Sequence, residues 1–443
     1  MNLLIKYSPL FYFTQSLWRD EVYSIFVAQK PILSFIGNLS FEPPFYYILL
    51  HFWMLVFGSG EIATRSLSFV AFILATVLVI YYAERRFKRH WLAWYLPVFF
   101  FLNPMLLYYA FEVRTYGWYI FFATASMIFY LEKKWSWYIA VTTLGFYTHA
   151  YMLVVPLVQA LHHLAVYWSQ IAGKGFKRIL TDPMLRALII IILLISPWLA
   201  IIIKEMTRLK HSWYFPVDFN LVSSVLGNMF IGYEGTPWYG WPFTAILSKI
   251  LLLIFIFALM YSKKRSVNFY FFLMIMFPLA VVIAISFFKP LFVNRYLIPV
   301  TIAQVFLISS AIESIRQKYL RACAAWICLL FVIAVDIWYP GEHPKTPSRD
   351  AMSQINALWD NDDIVLAASP LVFFEAQYYS ADASRVYLYN PDGYTFPWYV
   401  GDFIFDKKQS LGSLPLYPVR AFIIDDHADF KVAYKLAQIN NGK

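Results

Sequence analysis

Asp20 and Glu21 are adjacent carboxylates in the run Ser16-Leu17-Trp18-Arg19-Asp20-Glu21-Val22-Tyr23, close to long apolar stretches. Acidic groups cost free energy in such surroundings unless they are paired or put to use. A carboxylate there is a candidate general base, able to take a proton from a hydroxyl at a membrane surface. The bland alternative is an acidic first turn, with Asp20 capping the helix that follows and Glu21 favouring its positive end. A cap accounts for one acidic residue and leaves the Trp18-Arg19-Asp20-Glu21 context unexplained.

Three further clusters are polar where their neighbours are apolar. Phe41-Glu42-Pro43-Pro44-Phe45-Tyr46-Tyr47 reads as a helix start, because Pro-Pro is excluded from a helix interior but suits its first turn. The predicted helix, 44–57, lies on the membrane; its His51 reads as an interface or packing residue rather than a ligand. Tyr108-Tyr109-Ala110-Phe111-Glu112-Val113-Arg114-Thr115-Tyr116 falls in a short turn between spans. Arg114 either snorkels to the interface or offers a planar guanidinium to a phosphate, with Glu112 orienting or pairing with it. Asn294-Arg295-Tyr296-Leu297 stands at the entry to a late span and adds a second arginine. His149 reads as a helix–helix hydrogen bond, and Lys204, Lys210, His211, Trp213 and Tyr214 as a surface loop.

The elements that must position these residues are membrane spans. Of the 443 residues, 60% are hydrophobic, 14% charged and 21% aromatic. Apolar runs near the ~20 residues that cross a bilayer recur along most of the chain. Ten candidate spans lie near 62–82, 91–109, 117–131, 136–148, 150–168, 187–203, 243–261, 268–288, 297–313 and 320–339. The net charge of +10 does not point to nucleic acid, because the cations cluster in short loops between spans. Arg85, Arg86, Lys88 and Arg89, then Lys133 and Lys134, then Lys174, Lys177, Arg178 and Arg186, then Lys263, Lys264 and Arg265, then Arg316, Lys318 and Arg321 form one alternating set. The positive-inside rule makes that set cytoplasmic and places Asp20 to Gly60, the Arg114 turn, the Lys204–Pro242 loop, the Arg295 turn and the tail outside. Met1 to Leu17 is a poor span, interrupted by Lys6 and Pro9; it is either a short first helix or the sign of a start further upstream. Cys323 and Cys328, five apart on one helix, predict neither a disulfide nor a metal site.

After residue 340 the pattern changes. Asp350–Leu358, Leu371–Tyr379 and Asp429–Ile439 read as helices, and Asp363–Ala368 and Ala421–Asp425 as buried strands. The alternation predicts a small external α/β domain over 341–443, after a membrane domain over 1–340. Without a glycine-rich phosphate loop it reads as a structural cap or an acceptor-docking platform.

Taken together the motifs resemble the GT-C glycosyltransferases, in particular the bacterial branch of family 39, which includes protein O-mannosyltransferases and the lipid A aminoarabinose transferase. The resemblance rests on Leu17-Trp18-Arg19-Asp20-Glu21, Pro43-Pro44-Phe45-Tyr46-Tyr47, Arg65-Ser66-Leu67-Ser68, Glu112-x-Arg114-x-Tyr116 and Arg295-Tyr296-Leu297, in family order over roughly 17–300. It implies an all-α polytopic fold of about 10–11 spans with interfacial helices and a small external α/β domain. It also implies transfer of a sugar from a polyprenyl-phosphate donor to a hydroxyl of a protein, lipid or glycan, on the external face of the bacterial inner membrane. By position Asp20 would be the general base, with Glu21 supporting it. Arg114 and Arg295 with Tyr116 would hold the donor phosphate, and Glu42, Glu112, His51 and Tyr296 would position donor or acceptor. No cofactor and no resident metal are implied. The chain departs from the family in lacking a clear span before Asp20, and in carrying Glu42 where a histidine is frequent, the one place where a divalent ion enters the reading. A lipid-linked sugar transporter and a non-catalytic assembly subunit are the alternatives. A transporter calls for polar or broken helices at mid-depth, whereas here the charge gathers at one surface.

Overall fold

The computed structural model describes residues 8–39, 42–88, 90–171, 182–206, 217–235, 238–289, 291–360, 362–394 and 403–436. The chain divides into two compact units, Met1–Tyr12, Ser40–Tyr46 and Arg65–His343 in one, Phe13–Leu39, Tyr47–Thr64 and Pro344–Lys443 in the other.

The first unit is helical. Among the described residues seven helices are long and apolar enough to cross a membrane: Glu61–Phe87, Ala150–Tyr167, Pro183–Glu205, Trp238–Tyr261, Arg265–Ser286, Asn294–Ser314 and Lys318–Glu342. This is a multi-pass membrane protein. Asn294–Ser314 is the central helix, 89% buried, whereas Lys318–Glu342 is only 22% buried and turns Trp326, Ile327 and Leu330 outward, as a lipid-facing span does.

All ten expected segments are helical, with two differences. The segment 91–109 is a broken pair, Leu92–Phe101 and Pro104–Ala110, bent by 55°. Pro104 cannot supply the helix hydrogen bond across the joint, and Asn103 caps the second piece by accepting the Leu106 N–H at 3.2 Å. Tyr116–Leu131 and Trp135–Thr148, at 16 and 14 residues, stop short of a full crossing.

The expected surface loop 204–242 contains a further helix, Phe219–Ile231, capped by Asp218 through the Leu221 N–H at 2.7 Å. It ends on Gly232, whose φ of 76° is the left-handed conformation that glycine adopts without strain. Residues 207–216, with Lys210, His211, Trp213 and Tyr214, lie outside the described residues.

The second unit is α/β. Strands β1 (Ile364–Ala367), β2 (Val386–Tyr389), β3 (Ser410–Leu411), β4 (Ala421–Ile424) and β5 (Phe430–Ala433) form one sheet in the order β3-β2-β1-β4-β5. All neighbours are parallel except β4 and β5. Helix Pro370–Tyr379 connects β1 to β2 and packs on both, the crossover that parallel strands require. The helix expected over 429–439 is instead β5. Asp425 accepts the N–H groups of His427 and Asp429, each at 3.0 Å, and this tight turn returns the chain antiparallel to β4. The hairpin leaves no room for a helical turn, and residues 437–439 lie outside the described set. Helices Phe11–Thr14, Arg19–Gln29, Ile32–Asn38 and Phe45–Phe57 carry or flank the first acidic motif in sequence, and Ser348–Leu358 precedes β1.

Candidate functional site

Arg114 lies in a turn between Pro104–Ala110 and Tyr116–Leu131. Two contacts fix that turn: its carbonyl accepts the Ser68 hydroxyl at 3.2 Å, and Gly117 lies so close to Ser68 that a Cβ there would stand 2.4 Å from the Ser68 carbonyl oxygen. The small residue thus sets a backbone-to-backbone crossing with Glu61–Phe87, the usual way membrane helices approach closely. Gly117→Ala is expected to cost about 1–3 kcal/mol of stability through overpacking. A thermal melt in detergent checks it, and an unchanged midpoint would contradict the close approach.

From this turn the buried Arg114 donates from Nη2 to Glu42 Oε1 at 2.7 Å. Glu112, 2% exposed, sits in the same turn. Arg295 comes from a 3₁₀ turn, Asn294–Leu297, anchored where Asn294 donates to the Tyr233 carbonyl at 2.5 Å. Its Nη1 donates to both oxygens of Glu234, each at 3.1 Å, and Tyr109 donates its phenol to the same carboxylate at 2.6 Å.

Aromatic rings link the two arginines. Tyr116 meets Tyr109 edge-on at 5.0 Å, His149 stacks on Tyr119 at 4.4 Å, and Tyr296 lies 5.3 Å from His149. Tyr116, two residues past Arg114, lies 5.9 Å from His149, and Arg295 lies over the Tyr296 ring at 5.8 Å. The fold therefore brings Arg114, Arg295, Tyr116, Tyr296 and Glu42 to one place. It adds Glu234, which sequence reasoning missed, and Tyr109, which the sequence places beside the turn without a role. Glu234 sits in no motif, and only its position two residues past the Gly232 helix stop marks it. His149 accepts the Tyr151 N–H locally at 3.3 Å instead of making the expected helix–helix hydrogen bond.

The acidic motif belongs to the second unit. Helix Arg19–Gln29 begins at the N-cap residue Trp18, so Asp20 is inside the first turn rather than its cap. Asp20 Oδ1 accepts Arg19 Nη2 at 2.7 Å and Nε at 3.0 Å. Glu21 is fully buried; it reaches back to the Trp18 N–H at 3.2 Å and takes the Lys345 ammonium at 2.9 Å. Glu375, on Pro370–Tyr379, accepts the Arg19 N–H at 2.9 Å and the Ser348 hydroxyl. Burial, with Glu21 and Asp426 adding like charge, pushes Glu375 up to about 7. His51 donates from Nδ1 to the Ala28 carbonyl at 2.7 Å and ties Phe45–Phe57 to Arg19–Gln29, a packing role.

Against known structures the match runs almost end to end. ArnT from Cupriavidus metallidurans in the apo state superposes with a TM-score of 0.58 at 12% identity, over 95% of this chain and 91% of that one. ArnT from the same organism bound to undecaprenyl phosphate gives 0.56 at 12% identity, over 94% and 91%. The archaeal oligosaccharyltransferase AglB from Archaeoglobus fulgidus, in complex with an inhibitory peptide and a dolichol-phosphate, gives 0.52 at 11% identity, over 95% and 68%. The fold is GT-C. At such identities the GT-C likeness is one of architecture, and it covers the membrane helices and the small sheet domain alike. No protein-family model matches the chain, and no curated protein sequence matches it. Within this GT-C chain the arginine cluster and the acidic helix belong to different compact units.

Proposed function

We propose that the protein is a membrane glycosyltransferase that moves a sugar from a polyprenyl-phosphate donor to a hydroxyl acceptor. The observation that carries this reading is the pair Arg114 and Arg295, each held by a carboxylate and gathered around the rings of Tyr109, Tyr116, His149 and Tyr296. One buried and one largely buried guanidinium suit a phosphate, which each can bind with two parallel hydrogen bonds. The GT-C fold, and its likeness to an ArnT structure holding undecaprenyl phosphate, supports a lipid-linked donor.

In the reaction the acceptor oxygen attacks the anomeric carbon as the bond from that carbon to the phosphate oxygen breaks. Asp20 takes the acceptor proton; the electron pair leaves with the polyprenyl phosphate, whose charge Arg114 and Arg295 offset. Glu21 holds the first turn of the helix that carries Asp20, and Glu42 and Glu234 keep the arginines in place. Because the basic loops alternate with the site-bearing turns, the site faces the extracytoplasmic side, at the inner membrane of a bacterial cell.

The test is a membrane assay with radiolabelled polyprenyl-phosphate hexose or pentose. Label should move to an acceptor only when the protein is present, and a sugar nucleotide should not replace the lipid donor. Label that crosses the bilayer still attached to its lipid, with no transfer product, would sink the reading in favour of a transporter.

A further inference from the structure

The first turn of helix Arg19–Gln29 is built from both ends of the chain. Its free N–H groups need acceptors, and the positive end of a helix favours negative charge. Glu21 satisfies the Trp18 N–H from within, and Glu375 satisfies the Arg19 N–H from 356 residues away. Glu375 is held in turn by Ser348, and Phe374 beside it meets Phe26 edge-on at 6.2 Å. Further ties join the same two stretches: Lys345 to Glu21 at 2.9 Å, the Lys345 N–H to Gln15 at 2.7 Å, the Leu17 N–H to the Tyr379 hydroxyl at 2.7 Å, and the Arg349 N–H to Ser16 at 3.3 Å. So dense a set of bonds on the seven residues 15–21 exceeds what a passive cap needs.

We propose that Glu375 is a positioning residue for sugar transfer: it caps the catalytic helix from the C-terminal module and fixes where the Asp20 carboxylate stands. The idea rests on the transferase reading for its effect on rate, but not for its effect on structure.

The groups facing Glu375 are Glu21 and Arg19 on the capped helix, Ser348 on Ser348–Leu358, and Asp426 after β4. Lys345 offsets Glu21. Glu375 titrates at about 7, raised by burial first and by Glu21 and Asp426 next, and lowered by the bonds from Ser348 and Arg19. Ionised, it accepts both bonds, but burial costs the charge more than those bonds return, so the capped state holds the Glu375 proton more tightly than the open one. Capping, and with it the turnover rate, should therefore fall as pH rises through about 7.

The experiment uses the full-length protein in membranes, with transfer kinetics and hydrogen exchange of backbone 17–24. Glu375→Ala should lower kcat about 10-fold with the donor KM unchanged, and should speed exchange by a similar factor. Glu375→Gln should fold as wild type and lose the limb near neutral pH. Ser348→Ala, which removes a bond that favours the ionised form, should move that limb to higher pH. Glu375→Ala with wild-type exchange, or a limb that neither Glu375→Gln nor Ser348→Ala moves, overturns the proposal. If exchange responds as expected but the wild type transfers no sugar, the cap stands and the transferase reading fails.

Discussion

Asp20→Asn is expected to lower sugar transfer by about 10²–10⁴-fold, the usual contribution of a positioned general base. The amide has the size and shape of the carboxylate. It still accepts from Arg19, whose Nη2 and Nε stand 2.7 and 3.0 Å from Oδ1, so the first helical turn should keep its form. On the proposed mechanism, what is lost is the capacity to take the acceptor proton as the new glycosidic bond forms. The loss should therefore appear in kcat, with the donor KM and the hydrogen exchange of residues 17–24 unchanged. Transfer at the wild-type rate by Asp20→Asn would remove Asp20 from the chemistry and bring an assembly role to the front.

The second large effect is at Arg295. Arg295→Ala should lower kcat/KM for the lipid donor by about 10²–10³-fold, as expected when one preorganised donor to a developing anion is removed. Glu234→Gln should act in the opposite sense on ground-state binding. The carboxylate occupies Arg295 Nη1 through both oxygens and so competes with a phosphate for it, and neutralising it frees the guanidinium. Free polyprenyl phosphate should then inhibit Glu234→Gln at lower concentration than wild type, and Arg295→Ala at higher concentration. Inhibition unchanged in both variants would place the phosphate elsewhere.

The sequence made the helices legible because their signals are local. Pro43-Pro44 announces Phe45–Phe57, and the basic clusters at Arg85 and Lys263 mark where long apolar runs end. The arginines were legible because charge at the edge of a span is costly and therefore conspicuous. Their partners were not. Glu234 meets Arg295 across 61 residues, and Lys345 meets Glu21 across 324, with nothing in either neighbourhood to signal the other. Phe219–Ile231 was hidden because the surrounding charged and aromatic residues made 204–242 read as one surface loop. The hairpin of β4 and β5 turns on Asp425, a side-chain-to-backbone effect that outweighed the helical pattern of 429–439.

The two short helices have a consequence for depth. Tyr116–Leu131 and Trp135–Thr148 pack together as a hairpin, joined through Lys133 and Lys134, with Arg114 and His149 at the open end. At 14 residues the second helix is about 21 Å long, roughly 9 Å less than the hydrocarbon thickness of a bilayer. With the two lysines among headgroups, the open end would stop well below the opposite headgroup plane. A lipid phosphate would then have to sink below that plane, or the bilayer thin, for it to meet the arginines. The bilayer must thin or fill with protein above such a hairpin, so turnover should depend on acyl chain length, fastest in thin membranes.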